Sequence, residues 1–303
     1  MTAPLVILTN ERDFAADDVI WRLKEKGVEI LRLNIESCHR SSVPVWEIDN
    51  TGAPTVVWWR QFETEELPED LPAIDDLLVS RAQWRTWISM FSTPNAIWVN
   101  DIWAARRAEN KIEQLRVANA IGFHVPRTIV TNDQNAARAF REDVGDAVVK
   151  SLASAYFAFS DQSFVFTEMV DDVVLDEANL WSSSPVIVQE SLIGSLDARI
   201  VAFGGRAYGA LCTGKGSDWR KIPFEQDLWR SWDVPVGVSN RCHAYLKRFG
   251  LEYGAFDFMI RGDEPYFLEA NQAGEWLFLD RALDLGISEG LADRFVELAT
   301  NAC

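Results

Sequence analysis

Short apolar runs alternate with amphipathic stretches from the start of the chain. Residues 5–9 and 28–33 are predicted strands, and Asp17-Asp18 between them would open a helix that ends at Gly27. A strand, a helix and a second strand in this order are typical of a parallel sheet. No glycine-rich phosphate fingerprint follows the first strand, which argues against a dinucleotide site there.

The remainder of the first hundred residues continues this pattern. Residues 45–61 are predicted to form a hairpin across the turn-forming stretch 50–54. Residues 77–91 have the apolar spacing of a helix, and residues 96–100 form a last short strand. We therefore expect a first structural unit that ends near residue 105.

Strands and helices keep alternating in the middle of the chain. A helix over residues 112–121 is closed by Gly122, and a strand entered through Pro126 leads to a helix cap at Asn132 or Asp133. The other predicted elements are strands 146–150, 164–167, 173–175 and 186–189, a hairpin of 197–203 and 207–212 that turns at Gly204-Gly205, and an amphipathic last helix, 288–300.

The most informative stretch is a predicted hairpin between residues 251 and 276. Residues 253–260 and 266–270 are largely apolar and aromatic, and the segment 261–265 between them has the composition of a loop. Symmetric closure about Asp263 sets the register of the two strands. The pairs in this register are Ile260 with Tyr266, Phe258 with Leu268 and Asp257 with Glu269, and the core-facing residues are Phe256, Phe258 and Leu268.

Three oxygen-bearing side chains share the other face of this hairpin. Asp257 and Glu269 oppose one another, and Asn271 joins them because side chains alternate along a strand. Two carboxylates and an amide oxygen suit Mg²⁺, which takes a few protein oxygens together with waters and nucleotide phosphates. The alternative is a half-exposed hairpin whose polar face simply meets water.

Composition and charge narrow the classes of function. The 303 residues, 48% of them apolar, predict a globular protein of several structural units. A net charge of −17 argues against general nucleic-acid binding. The apolar runs are strand-sized and no signal-peptide layout is present, so we expect a cytoplasmic protein without membrane association. The four cysteines lack metal-ligand spacing and are expected to be free thiols.

Two lysines are candidate contacts to phosphate groups. Lys111 precedes a predicted helix, and Lys150 ends a predicted strand, where a ligand can approach. The alternative for Lys150 is a lysine that extends off the end of an edge strand.

The segment that follows strand 186–189 is a candidate adenine site. It crosses between two predicted units, so its free backbone groups suit the edge of an adenine, with Glu190 or Asp197 near the ribose. The alternative is an ordinary strand end. The residues of this candidate site are Gln189, Glu190, Ser191, Leu192, Ile193 and Asp197.

Two arginines complete the candidate phosphate site. Arg199 lies two residues after Asp197 and on the same side of its strand, whereas Arg220 lies in a glycine-containing loop that could fold over a ligand. An arginine at such a position stabilises charge on a transferring phosphoryl group, although a loop with one arginine is more often only a loop. No histidine, cysteine or serine context indicates a covalent nucleophile.

Taken together, these residues resemble a known family in order and spacing. The series Lys111, Lys150, Gln189-Glu190, Asp197-x-Arg199, Asp257 and Glu269-x-Asn271 resembles the ATP-grasp ligases. The chain is most similar to the graspetide or microviridin type, the ATP-grasp enzymes that macrocyclise ribosomally made peptides. The motifs behind this narrower resemblance are Asn110-Lys111 with Gln114-Leu115, Val125-Pro126, Asp218-Trp219-Arg220, Leu268-Glu269-Ala270-Asn271 with Gly274 and Trp276, and, near the amino terminus, Thr9-Asn10-Glu11-Arg12-Asp13.

The resemblance implies an α/β (α+β) fold in three parts. These would be a parallel-sheet amino-terminal domain (1–105), a central domain (106–187) and a carboxyl-terminal domain (188–303), with ATP clamped between the antiparallel sheets of the last two. It also implies a homodimer. The chain departs from the usual pattern of the subfamily at Gln272-Ala273, in place of proline and a small polar residue, and at Glu275, in place of glutamine.

The resemblance also implies a reaction and its partners. ATP would phosphorylate a side-chain carboxylate of a precursor peptide that has leader and core segments, and a hydroxyl or amine would then attack the acyl phosphate with loss of phosphate. The implied roles are phosphate binding by Lys111 and Lys150, adenine binding by residues 189–193, stabilisation of the acyl phosphate by Arg199 and Arg220, and Mg²⁺ binding by Asp257, Glu269 and Asn271.

Two other functions remain open from the sequence. One is a ligase that adds an amino acid to a protein or small-molecule carboxylate. The other is a non-catalytic homologue that keeps the fold to hold a peptide. The mass of the product separates the three, because macrocyclisation removes water and ligation adds a residue.

Overall fold

The computed structural model describes residues 5–38, 56–60, 83, 86, 96–152, 167–177, 181–182, 184–213 and 228–301. Three sheets follow one another along these residues, the first parallel and the next two antiparallel. The expected α/β class with a parallel amino-terminal sheet is therefore confirmed. Within the described ranges, no helix combines the length and the apolar character needed to cross a membrane.

The first sheet is built from strand-helix-strand units, as predicted. Its elements are β1 (Leu5–Thr9), α1 (Phe14–Glu25), β2 (Ile30–Asn34), α2 (Ile35–Cys38), β3 (Val56–Trp59), β4 (Ile97–Val99) and α3 (Ile102–Ala108). The strand order is β2-β1-β3-β4, and β1 is buried along its full length, as a parallel strand covered on both faces should be.

Three predictions for this part of the chain are corrected by the structure or lie partly outside the described residues. Helix α1 begins before Asp17-Asp18, because the Asp13 side chain caps it by accepting from Ala16 N. Of the predicted hairpin 45–61, the first arm lies outside the described residues, and the second is β3. Of the predicted helix 77–91, only positions 83 and 86 are described, and both are helical.

The second sheet has the order β5-β8-β6-β7 and is antiparallel. Helix α4 (Lys111–Ala120) precedes it, and its elements are β5 (Thr128–Thr131), α5 (Gln134–Val144), β6 (Ala147–Lys150), β7 (Glu168–Met169), α6 (Asp172–Asp176) and β8 (Val186–Glu190). The predicted strand 173–175 was wrong: it is helix α6, which Asp171 caps by accepting from Val174 N. Most of the predicted strand 164–167 lies outside the described residues.

The third sheet is the largest, with the antiparallel order β11-β10-β9-β12-β13. Its strands are β9 (Leu196–Phe203), β10 (Arg206–Cys212), β11 (Trp229–Trp232), β12 (Tyr253–Arg261) and β13 (Glu264–Asn271), and its helices are α7 (Val236–Phe249), α8 (Leu277–Leu283) and α9 (Ile287–Asn301). The hairpin predicted at Gly204-Gly205 and the amphipathic last helix are both confirmed.

The β12–β13 hairpin has a different register at its tip from the one predicted. It turns over Gly262-Asp263, with Gly262 at φ +63°, so Arg261 pairs with Glu264 rather than enclosing a longer loop. A β-bulge between Asp257 and Phe258 then shifts the register by one residue. The predicted pairs Ile260 with Tyr266 and Phe258 with Leu268 are wrong, whereas Asp257 does pair with Glu269.

The bulge also changes which residue of β13 enters the core. Phe267 is fully buried opposite Phe258, and Leu268, which was predicted to be buried, is only partly buried. Phe256, Phe258 and Phe267 pack against Tyr245 of α7. One face of the third sheet is therefore committed to the core, which leaves the other face to carry the polar side chains.

Candidate active site

A row of three charged side chains crosses the polar face of the third sheet. Arg199 on β9 pairs with Asp257 on β12, and Asp257 pairs with Glu269 on β13. Arg199 Nη1 donates to both carboxylate oxygens of Asp257, at 2.7 and 2.9 Å. Burial opposes the charge of this guanidinium, but the Asp257 carboxylate outweighs burial and raises the pKa of Arg199. The row therefore holds a fixed positive charge next to two carboxylates.

Lys111 reaches the same row from the first residue of α4. Asn110 caps this helix by accepting from Ile112 N and Glu113 N. Lys111 Nζ lies 3.9 Å from Glu269 Oε2 and donates to Ser151 O at 3.2 Å. The helix start thus places an ammonium group between the third sheet and the end of β6.

A buried glutamine ties α4 to the carboxylate-bearing strand. Gln114 Nε2 donates to Ala108 O at 2.6 Å and to Ala270 O at 3.0 Å, and Gln114 Oε1 accepts from Ala270 N at 2.9 Å. Ala270 lies between Glu269 and Asn271, so this contact fixes the distance from Lys111 to the candidate metal ligands.

Lys150 stands on an interior strand, not on an edge strand. Its strand β6 lies between β8 and β7, which removes the alternative of a lysine that extends off an edge. Lys150 Nζ donates to Gln189 Oε1 at 2.8 Å, and Gln189 Nε2 donates in turn to Thr128 Oγ1 at 2.9 Å. The amide of Gln189 therefore sets the position of the lysine.

The crossing segment 189–193 links the second sheet to the third. Glu190 N donates to Arg127 O and Ser191 N donates to Asp146 O, both at 2.8 Å. Arg261, at the tip of the β12–β13 hairpin, donates to Glu190 Oε1 at 2.7 Å and to Ser191 O at 2.8 Å. The segment is thus held at Glu190 and Ser191, with Leu192 buried and Ile193 46% exposed.

Of the two remaining candidates, the structure describes only Asp197. Asp197 lies on β9 opposite Met259, on the side of the strand that Arg199 occupies. Arg220, with its neighbours Asp218 and Trp219, lies outside the described residues.

The hairpin carries a donor set that fits Mg²⁺. Asp257 and Glu269 are paired across the strands and Asn271 follows two residues after Glu269, so three hard oxygen donors share one face of the hairpin. Among the described residues, no three histidine, cysteine, aspartate or glutamate side chains cluster as they would around a metal bound by protein alone. Two carboxylates and an amide suit a cation that shares its coordination with phosphates and waters.

A cavity of about 910 Å³ opens beside Lys111 along α4. This volume is in the range of small-molecule and cofactor sites. Its lining combines basic side chains, among them Lys111, Arg116 and Arg248, with Glu109, Glu113 and a few apolar side chains. Lys111 borders this cavity, whereas Lys150, Asp257 and Glu269 are not part of its lining.

Sequence reasoning missed two residues that reach the site from the first sheet. Arg60 follows β3 and Asn100 follows β4, and both contact the segment that comes directly after Asn271. The signal that the sequence offers for Arg60 is an arginine placed directly after the apolar run of β3, and the structure shows that this arginine is buried.

Comparison with solved structures identifies this architecture. No family model matches the sequence, and no curated protein matches it. The chain is similar to a RiPP-associated ATP-grasp ligase of Chryseobacterium gregarium, solved in complex with ADP and a leader and core peptide. The TM-score is 0.86 and the identity 24%, with 98% of this chain and 97% of that chain covered. This chain has the ATP-grasp fold.

Other proteins with the ATP-grasp fold match the chain over a comparable length. The macrocyclase MdnB of Microcystis aeruginosa MRC is 27% identical at a TM-score of 0.75, over 97% of this chain and 99% of that one. The ATP-grasp ligase PsnB, complexed with a minimal precursor, Mg and ADP, is 20% identical at a TM-score of 0.80, over 97% of each chain. The ATP-grasp fold therefore accounts for nearly the whole chain, including the first sheet.

Proposed function

We propose that this protein is an ATP- and Mg²⁺-dependent ligase that crosslinks side chains of a ribosomally made precursor peptide. The observation that carries the proposal is the row of Arg199, Asp257 and Glu269 with Lys111 beside it, set in the ATP-grasp fold. A protein with this fold and 24% identity was solved with ADP and a leader and core peptide, which supports the substrate class.

Nucleotide binding would use the face between the second and third sheets. Lys111 and Lys150 would contact phosphates, since a neighbouring oxygen, Ser151 O or Gln189 Oε1, fixes the position of each ammonium group. Adenine would lie along Gln189, Glu190, Ser191, Leu192 and Ile193, with Asp197 or Glu190 near the ribose. Because the amides of Glu190 and Ser191 already donate within the fold, the adenine edge would be read by other groups of this segment.

The charged row would bind the phosphates and stabilise the activated carboxylate. Asp257, Glu269 and Asn271 would hold Mg²⁺, which when bound supplies positive charge to the phosphate oxygens. Arg199 Nε is buried and has no hydrogen-bond partner within the described part of the chain. A donor left in this state suits a phosphate oxygen, so Arg199 would steady the acyl phosphate, together with Arg220.

The proposed reaction has two steps. A carboxylate oxygen of an Asp or Glu side chain attacks the γ-phosphorus of ATP, and the bond to the β-phosphate oxygen breaks to give an acyl phosphate and ADP. A hydroxyl or amine of the same peptide then attacks the acyl carbon, and inorganic phosphate leaves as the nucleophile loses its proton. Each ring formed removes one water from the peptide and closes an ester or an amide.

Mass spectrometry of the precursor peptide tests the proposal. The peptide encoded next to this gene is incubated with the protein, ATP and Mg²⁺, and we expect ATP-dependent loss of one or more waters. A gain equal to an added amino acid would instead identify the amino-acid-adding ligase. An unchanged peptide together with unchanged ATP would support the non-catalytic peptide-binding homologue.

Assembly and location are part of the same proposal. The resemblance supports a homodimer, which light scattering of the purified protein would measure directly. A cytoplasmic location fits a reaction that consumes ATP and a newly made peptide, and fractionation of the source cells would test it.

A further inference from the structure

The segment that follows Asn271, here called the 272–276 loop, lies against two candidate site residues. Arg199 Nη2 donates to Glu275 O at 3.0 Å. A Cβ placed on Gly274 would lie 2.8 Å from Arg199 Nη2, 3.1 Å from Asn271 Cβ and 2.6 Å from Ala255 Cβ. The loop therefore contacts Arg199 directly and lies against the Cβ and the backbone carbonyl of Asn271, to which Gly274 N donates at 3.2 Å, so a displacement of the loop would displace both residues.

Arg60, which directly follows β3 of the first sheet, contacts this loop. Its Nη1 donates to Ala273 O at 3.3 Å and Gly274 O at 3.4 Å, and its Nη2 donates to Glu275 Oε2 at 2.6 Å. The guanidinium also lies over the Trp276 ring, with Cζ 4.1 Å from the ring centroid. One side chain thus contacts four of the five residues of the loop.

Asp13, which follows β1, holds Arg60 in this orientation. Arg60 Nε lies 2.8 Å from Asp13 Oδ2, and both side chains are essentially inaccessible to solvent. Asp13 also accepts from Thr9 Oγ1 at 2.5 Å and from Ala16 N at 3.0 Å. Thr9 and Asp13 have no role in the proposed reaction. Their contacts with each other and with Arg60 orient this buried arginine.

Asn100 and Tyr253 hold the other side of the loop. Asn100 Nδ2 donates to Gln272 O at 2.8 Å and to Tyr253 O at 2.9 Å, and the Tyr253 hydroxyl donates to Gly274 O at 2.7 Å. Burial raises the pKa of Tyr253, so its hydroxyl remains a donor across the physiological range.

We propose that Arg60, oriented by Asp13, is a positioning residue that sets Arg199 and Asn271 through the 272–276 loop. The role deepens the proposed function and rests on it. A buried charge pair is weak evidence for stability, because the desolvation of two charges offsets their attraction. What Arg60 supplies is geometry: its planar fork reaches Asp13, two carbonyls and Glu275 at once, which the single ammonium of a lysine cannot do.

The test compares Arg60→Lys with a matched control, Arg206→Lys. Arg206 likewise donates to a backbone carbonyl, Gly290 O, and to a carboxylate, Glu297, but it has no recorded contact with the loop. We expect kcat for crosslinking to fall about 10- to 100-fold in Arg60→Lys, because small misplacements of reacting groups carry penalties of that size. The KM for ATP should change much less, and Arg206→Lys should retain the wild-type kcat.

A double-mutant cycle separates positioning from general loss of structure. If Arg60 acts through Arg199, then Arg60→Lys should reduce kcat far less in an Arg199→Lys background than in the wild type. Equal fold-losses in both backgrounds would overturn the proposal, as would a kcat for Arg60→Lys equal to that of the control. If Arg60→Lys does not fold, Glu275→Gln is the second variant. Glu275 is half-exposed, and its carboxylate accepts a hydrogen bond from Arg60 Nη2.

Hydrogen exchange makes the result independent of the reaction. If the wild-type protein forms no crosslinked peptide, the proposed function is refuted. The positioning role is still tested, because the exchange of the 272–276 amides can be compared between the variants. Faster exchange of these amides in Arg60→Lys than in Arg206→Lys would support the positioning role. Identical exchange in the two variants would overturn it.

Discussion

Each carboxylate of the candidate metal site faces its own cation. Asp257 faces Arg199 and Glu269 faces Lys111, so the row is balanced without excess charge. Removing one carboxylate would leave a largely buried cation opposite a neutral group. Such a change should lower the rate of the reaction more than it lowers the stability of the fold, because the carboxylate that is lost would also face the phosphates.

Glu269→Gln should abolish turnover. The amide keeps the shape of the side chain but loses the charge, and we expect peptide-dependent ADP release to fall by about 100-fold or more, a loss typical of removing transition-state stabilisation. The control is Glu264→Gln, an exposed position on the same hairpin whose partner is His124. ADP release that is unchanged in Glu269→Gln would refute the assignment of Glu269 to the metal and phosphate site.

Gly274→Ala should impair activity more than stability. The added Cβ would collide with Arg199 Nη2 at 2.8 Å and Ala255 Cβ at 2.6 Å, so the loop or the arginine must move. We expect kcat to fall about 10- to 100-fold, a penalty that ångström-scale misplacement can produce. Gly237→Ala in α7 is the matched control, because a Cβ there meets nothing within 4 Å. Equal kcat values for the two variants would contradict the close approach at Gly274.

At the scale of elements, the hairpin shows what the sequence could and could not predict. The alternation of apolar and polar residues predicted both strands and the Asp257–Glu269 pair, because strand periodicity is local. It did not predict the bulge at Leu268, because Phe267 and Leu268 are both apolar, so composition does not show which of the two enters the core. The Asp257–Glu269 pair was nevertheless predicted correctly, because the tight turn and the bulge shift the register in opposite directions.

Helix capping residues explain other differences between prediction and structure. Asp13 and Asp171 each end an extended segment and cap a helix, which moved the start of α1 and turned residues 173–175 into α6. Asp133, one of the two predicted cap positions, does cap α5, and Asn110, which was only placed before a predicted helix, caps α4. Short apolar runs such as 173–175 fit a strand or a helix equally well, so the cap is the deciding feature.

Gln114→Leu should destabilise the junction of α4 and β13. Three hydrogen bonds disappear, and the buried groups at Ala108 and Ala270 lose their partner, which costs about 1–3 kcal/mol per unsatisfied group. We also expect the KM for ATP to rise, because Lys111 would no longer be held at a fixed distance from Glu269. Urea denaturation and steady-state kinetics measure the two effects, with Glu113→Gln, a neighbouring position that contacts Arg107, as the control. An unchanged urea midpoint would contradict the anchoring role of Gln114.

At the scale of the whole molecule, the first sheet is part of the site. Arg60 and Ala273 are 213 positions apart in the chain, and Asn100 and Gln272 are 172 apart. No periodicity or spacing rule connects residues at such separations, which is why the sequence pointed to the candidate metal ligands and lysines but not to the residues that hold the loop behind them. The two carboxylates can be paired from the sequence of one hairpin, whereas the residues that support them come together only in the assembled fold.

The contact between the first and the last helix should make stability depend on pH. Glu289 of α9 accepts from Lys26 Nζ at 2.5 Å and from Arg22 Nη1 at 2.8 Å, both from the α1 region, and these hydrogen bonds lower the pKa of Glu289. A carboxyl group whose pKa is lowered by folding stabilises the protein above its unfolded pKa, about 4.5 here, and loses that contribution as the pH falls through the lower folded value.

We therefore expect Glu289→Gln to lower Tm at pH 7 and to have little effect once the pH is well below 4, because the wild-type carboxyl is then protonated as well. The difference should be small and should shrink further in high salt, since all three side chains are partly exposed. Thermal melts of the wild type and Glu289→Gln between pH 7 and pH 3 measure it, with Glu142→Gln on the exposed face of α5 as the control. A Tm difference that persists undiminished at pH 3 would show that Glu289 stabilises the helix contact by packing rather than by its charge.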